Sequence, residues 1–206
     1  MISVSLNEVY SETYKALRSV NIEWSLAKDC ANKAKWLAQH GQYFLGSILK
    51  TADLYKNNKI SISINKNTNK KPLATALLGL LLVEYVSANK ITWEGYIDNS
   101  KFLLAAMGII AEEQKINLIL ENEQKDIIAF TKDKEIYVNA NLDNKISSYY
   151  FLKTYDFIKK KNIKFTNLKK NKNVTKLNAQ CWQKLKSMAF ETYVPESETS
   201  KSGAGY

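Results

Sequence analysis

The sequence predicts an α+β fold, with an N-terminal helical layer packed on a small, mainly antiparallel sheet and closed by a C-terminal helix and a flexible tail. Three observations carry that prediction. Apolar residues recur at three- and four-residue spacing through the first 55 positions; the longest apolar run, LATALLGLLLVEYV, fills 73–86; and short alternating segments separated by a few polar residues follow position 91. The first two patterns belong to helices and the third to hairpin-linked strands.

In chain order, Ser5-Leu6-Asn7-Glu8 has the spacing of a capping box, in which each side chain satisfies a backbone donor at a helix start. The helix it opens places Leu6, Val9, Thr13 and Leu17 on one side and ends near 19–21. A second helix, from 24 or 25 to 40, aligns Ala27, Cys30, Ala31, Ala34, Leu37 and Ala38, with Trp24 and Trp36 as large anchors and Gly41 as its stop. A third, about 43–55, repeats the pattern with Phe44, Leu45, Ile48 and Ala52.

The polar stretch 56–71 reads as a loop, with Ile60, Ile62 and Ile64 permitting one edge strand. Pro72 suits the first turn of the helix formed by the apolar run. That run is too short for the roughly 20 residues of a membrane crossing, so it predicts a buried helix at the joint between the helical layer and the sheet. A strand over 91–97 follows, and Asp98, Asn99 and Ser100 are candidate caps for a helix over 101–114. Segments 116–120, 126–130 and 135–139 predict an antiparallel meander, and 146–152 a fourth strand. The lysine-rich stretch 159–176 reads as a solvated linker, 179–190 as a last amphipathic helix, and the small polar residues beyond it as a tail. The expected organisation is one domain over 1–195, helical to 90 and sheet-containing after 91, with a tail over 196–206.

The formal charge is +10, and 30 of the residues are Lys or Arg. Arg18 is the sole arginine, and arginine is the residue best shaped for bidentate contact with bases and phosphates. Lysine here travels with abundant Asn and Ile, so a solvated basic surface is expected ahead of lysine-mediated nucleic-acid binding. Two distant cysteines, Cys30 and Cys181, suit a reducing compartment. The N-terminus has no basic region followed by an apolar stretch, so a cytoplasmic, non-membrane protein is expected.

No catalytic constellation stands out. One histidine, His40, and two separated cysteines fall short of a zinc site; no phosphate-binding loop or nucleophile elbow is present, and no cofactor is expected. His40, at a helix C-terminus, is expected to cap it in its protonated form. Two carboxylates are candidate catalytic groups: Glu84, because it interrupts the apolar run and a buried carboxylate must be paired or protonated, and Asp98, at a strand-to-helix junction.

Several of these residues together carry a family resemblance. Ser5-Leu6-Asn7-Glu8, Trp24 heading an Ala-rich helix that ends in Trp36-Leu37, Cys181-Trp182 through Leu185, Tyr193-Val194-Pro195 and Ser202-Gly203-Ala204-Gly205 resemble a bacterial family of unknown function, best known from marine and related proteobacteria. Members of that family continue past the Gly-Ala-Gly segment into a short acidic terminus. The resemblance implies a genuine domain and brings no activity with it. The functional expectation is therefore an accessory or interaction protein linked to small-molecule metabolism. It would engage a protein partner or a second copy of itself, with Ser202, Gly203, Ala204 and Gly205 as a partner-binding tail. The alternative is a small-molecule enzyme with its site between the helical layer and the sheet.

Overall fold

The computed structural model describes residues 1–64, 71–139, 148–156, 164–170 and 174–192. It opens with strand β1 (Ile2–Ser5), which leads directly into helix α1 (Leu6–Ser19). The capping box is present in full: Glu8 N–H donates to Ser5 Oγ at 3.2 Å, and Ser5 N–H donates to Glu8 Oε2 at 2.9 Å. Helix α2 (Trp24–Gln39) ends as its glycine predicts. Gly41 adopts φ 66°, its N–H donates to Ala38 O, and Gln42 N–H reaches back to Leu37 O at 2.8 Å. A residue with a Cβ is strained in that backbone conformation. His40 caps this helix, its Nδ1 lying 2.8 Å from Trp36 O. The protonated form is not the favoured one, because burial lowers the imidazole pKa more than the adjoining carbonyl raises it.

Helix α3 (Leu45–Lys56) completes the N-terminal layer. Trp36 is a buried anchor, whereas Trp24 is 66 % exposed and lies against the Arg18 guanidinium, 4.7 Å away, and the edge of Tyr14. Helix α4 (Thr75–Asn89) starts later than the apolar run predicts. Pro72 lies before the helix, because Leu73 is held as extended chain between Ser61 and Ile97, with parallel bridges to both.

Strand β2 (Thr92–Ile97) alternates outward and inward residues, burying Trp93 and Ile97, and helix α5 (Ser100–Gln114) follows with Asn99 as its cap. Strands β3 (Leu118–Asn122), β4 (Ile127–Lys132) and β5 (Glu135–Asn139) form the expected meander. Strand β6 (Ser148–Thr154) does not extend it; it inserts between β2 and β3, and β7 (Phe165–Asn167) pairs with β5 at the far edge. The resulting six-stranded order is β2-β6-β3-β4-β5-β7, with every neighbouring pair antiparallel. Strand β8 (Val174–Leu177) pairs with β1 in a separate two-stranded sheet, and helix α6 (Ala179–Phe190) packs on α1. Parts of the segment read as a linker are thus the strands β7 and β8. The tail residues Ser202 to Gly205 lie outside the described residues.

One hydrophobic cluster runs from Val4 to Ala189 and draws on both halves of the chain. Helix α4 packs on α5, α2 and β6, which makes it the joint between layers. Its outward stripe stays open, with Leu81 51 % and Tyr85 47 % exposed beside an exposed Glu84. Among the described residues no helix is long and apolar enough to cross a membrane.

Candidate functional site

Of the two carboxylates singled out by sequence, Glu84 does not qualify. It occupies the solvent stripe of α4, so the argument from a buried, perturbed carboxylate does not apply to it. Asp98 does qualify: it is 4 % exposed. Its backbone is fixed first, Asp98 N–H donating to Leu73 O at 3.0 Å while Leu73 N–H donates to Tyr96 O. That pairing carries the end of β2 across the start of α4.

The Asp98 carboxyl group then caps α4 from outside the helix. Thr75 N–H donates to Oδ1 at 2.7 Å, and the Thr51 hydroxyl of α3 donates to Oδ2 at 3.0 Å. Helix α4 has no side-chain cap of its own, so Asp98 satisfies a donor that would otherwise be orphaned in the core. Burial raises the carboxyl pKa, while the hydrogen bonds from Thr75 and Thr51 and the charge of Lys33 pull it down.

Thr75 Oγ1 lies 2.7 Å from Asp98 Oδ1 and 2.6 Å from Asn99 O, both within hydrogen-bond distance. A hydroxyl has one proton to give. Its proton therefore serves one of these two acceptors at a time.

Behind this junction lies Lys33 of α2, fully buried, its Nζ donating to Leu77 O at 3.3 Å. Desolvation lowers its pKa to about 8, against the pull of Cys30, Asp29 and Asp98. Burial likewise pushes the Cys30 thiol up to about 12. Gly79 lets α5 approach closely here: a Cβ there would sit 3.2 Å from Ala106 Cβ, a tight contact, and within ordinary contact of Lys33 Nζ at 3.5 Å.

In front of the junction opens a cleft of about 230 Å³, lined by Tyr43, Ser47, Lys50 and Thr51 on one side and Asp98, Asn99 and Lys101 on the other. Tyr43 lies over Gly46, where a Cβ would meet its ring at 3.3 Å, and its hydroxyl donates to Cys181 Sγ at 3.5 Å. Lys101 is half-buried, its pKa lowered by desolvation, and it stands in the first turn of α5, the positive end of the helix. Neither Lys50 nor Lys101 has a carboxylate partner among the described residues. The exposed Lys50, the half-buried Lys101 in the first turn of α5, Tyr43 and Ser47 thus line a small cleft together with Asp98.

Sequence reading found Asp98 as a cap candidate but for the wrong helix, since its partner Thr75 lies far back in the chain. It missed Lys33, although the spacing from Cys30 to Lys33 to Leu37 places that lysine on the inward face. Lys50 and Lys101 carried no signal among so many lysines. Among the described residues no group of His, Cys, Asp and Glu is arranged to hold a metal ion. Comparison with protein-family models, with curated proteins and with solved structures finds no match. The chemistry of the cleft therefore carries the functional reading.

Proposed function

We propose that the protein binds a small organic or inorganic anion in the Asp98 cleft, as a ligand-responsive accessory to small-molecule metabolism. One observation carries this reading: Lys50 and Lys101 share the cleft with no carboxylate partner, at the positive end of α5. Holding a half-buried lysine at a helix N-terminus is electrostatically unfavourable, and an anion between the two ammonium groups reverses the sign of that cost. Burial raises the Asp98 pKa, which favours its neutral form beside an anion. The volume is below the roughly 300–1,000 Å³ of drug-sized ligand sites, so the ligand has few heavy atoms, as in a phosphate or a short dicarboxylate.

The test is titration of the labelled protein with inorganic phosphate, malonate and oxalate, followed by amide NMR. Shifts confined to Tyr43, Ser47, Lys50 and the start of α5, abolished in the Lys50→Glu/Lys101→Glu double variant, support the proposal. Absence of any such shift at millimolar ligand would sink it. Binding should also weaken with added chloride, since both contacts are ionic.

The enzyme reading draws support from the second cleft discussed below, which does lie between the helical layer and the sheet. The nucleic-acid reading rests on the basic stretch 159–176, much of which lies outside the described residues.

A further inference from the structure

We propose that His40 is the proton-accepting residue of a second small-molecule site, and that the ligand of this site is a 2-hydroxy acid bearing an apolar group. The site is a cleft of about 470 Å³ between the end of α2, the last turns of α5 and the β5–β7 edge of the sheet. Its residues are separate from those of the Asp98 cleft.

The tautomer of His40 follows from one contact. Nδ1 lies 2.8 Å from the Trp36 carbonyl, and a carbonyl can only accept, so Nδ1 carries the hydrogen and Nε2 is left with its lone pair in the neutral ring. Burial, which lowers the pKa, keeps the ring neutral at pH 7, while Glu112 and Lys170 act on it in opposite directions. Among the described residues Nε2 has no protein partner, and the only sealed side-chain nitrogen or oxygen lacking one is Thr13 Oγ1. His40 lines the cleft although only 5 % of it is exposed, and Nε2 is its ring nitrogen without a protein partner.

The ring is also held in place. It stacks on Trp36 with centroids 3.7 Å apart and planes 26° from parallel. Trp36 in turn donates from Nε1 to Glu112 Oε1 at 3.2 Å and presses on Gly108, where a Cβ would fall 2.3 Å from the indole. A base whose orientation is fixed before its ligand arrives loses little freedom on binding.

The rest of the cleft defines the complement. Glu112 is engaged by Lys170 at 2.7 Å, and Glu135 accepts from the Tyr137 hydroxyl and from Asn167. That leaves the ammonium groups of Lys134 and Lys169, which have no carboxylate partner among the described residues, and the apolar side chains of Ile136 and Leu168. Glu135 keeps its negative charge, since both its donors are neutral, but the exposed Lys134 and Lys169 outnumber it. One acceptor, a net positive charge and an apolar wall call for a ligand with one donor, one anionic group and one apolar group. An apolar 2-hydroxy acid has all three, its O–H donating to Nε2 and its carboxylate facing the lysines.

The chain has a single histidine, so a long-range proton–nitrogen spectrum shows one imidazole. The free protein should show a protonated Nδ1 and a bare Nε2. Titration with lactate, 2-hydroxyisocaproate and mandelate should move the Nε2 signal, with affinity rising with apolar size. Phenylacetate, which matches mandelate but lacks the hydroxyl, should bind about tenfold more weakly, the value of one hydrogen bond. The exposed pair Lys134→Glu/Lys169→Glu should lose binding with its melting temperature unchanged, and Lys50→Glu/Lys101→Glu should retain it. A free protein with hydrogen on Nε2, an Nε2 signal that no hydroxy acid moves, or equal binding of mandelate and phenylacetate would each overturn the proposal.

Discussion

Asp98 joins α3, α4 and the β2–α5 junction through one carboxyl group, and Asp98→Ala leaves the Thr75 N–H and the Thr51 hydroxyl unsatisfied in the core. The expected loss is about 3 kcal/mol, read from urea unfolding. Its raised pKa also sets a slope. Between the ordinary carboxylate range and the raised value, the folded state keeps a proton that the unfolded state has released, so this group's contribution to stability falls as pH rises through that window. Lys33 acts at higher pH with the opposite slope. With a pKa of about 8 it sheds its proton before the unfolded chain does, so the unfolded state binds more protons between pH 8 and about 10.4 and stability rises across that interval. Lys33→Met removes the slope and gains about 1–3 kcal/mol at pH 7, because it takes a desolvated charge out of the core. Paired urea titrations at pH 7 and 10 check both statements. These residues were only half legible in the sequence. A junction aspartate reads as a cap, but which helix it caps depends on the bridges of Leu73 to Ser61 and Ile97, and periodicity does not reveal bridges.

Helix boundaries were legible wherever the chain carries its own signal. Ser5 with Glu8, Gly41 and Asn99 each mark an end that the structure shows. Ser5→Ala should cost about 1 kcal/mol, seen as a lowered denaturation midpoint, because it removes one side of the capping box. Helix α4 lacks a cap of its own, and its start was misplaced for that reason. The strands β1, β7 and β8 escaped notice because three or four residues are too few for alternation to show. Packing between elements was less legible still. Nothing in the sequence marks Gly108 as the place where α2 and α5 come together around Trp36. Gly108→Ala drives a Cβ into the indole, and neither the ring nor the two helix backbones can yield cheaply. A loss of about 2 kcal/mol is expected, together with a changed tryptophan fluorescence spectrum and a displaced His40 resonance.

The class of the fold followed from the change in periodicity near position 91, but the strand order did not. Inserting β6 between β2 and β3 obeys side-chain packing across a distance that no local pattern encodes. The same holds at the termini, where Ile2 pairs with Leu177 and Ser5 with Val174, and α6 lies on α1. Removing residues 1–5 takes away a strand, a helix cap and the buried Val4 together. The expected cost is about 3 kcal/mol, or roughly 6–12 °C in melting temperature for a chain of this length.

That closure also has a consequence for synthesis. In chain order β1 and α1 are made well before β8 and α6, with which they pair and pack. Until those are made, Leu6, Val9 and Leu17 lack part of their cover, and contacts so distant in sequence form slowly. The nascent chain thus carries uncovered apolar surface until β8 and α6 are made, and a stop codon before β8 should yield aggregate rather than a shorter folded protein.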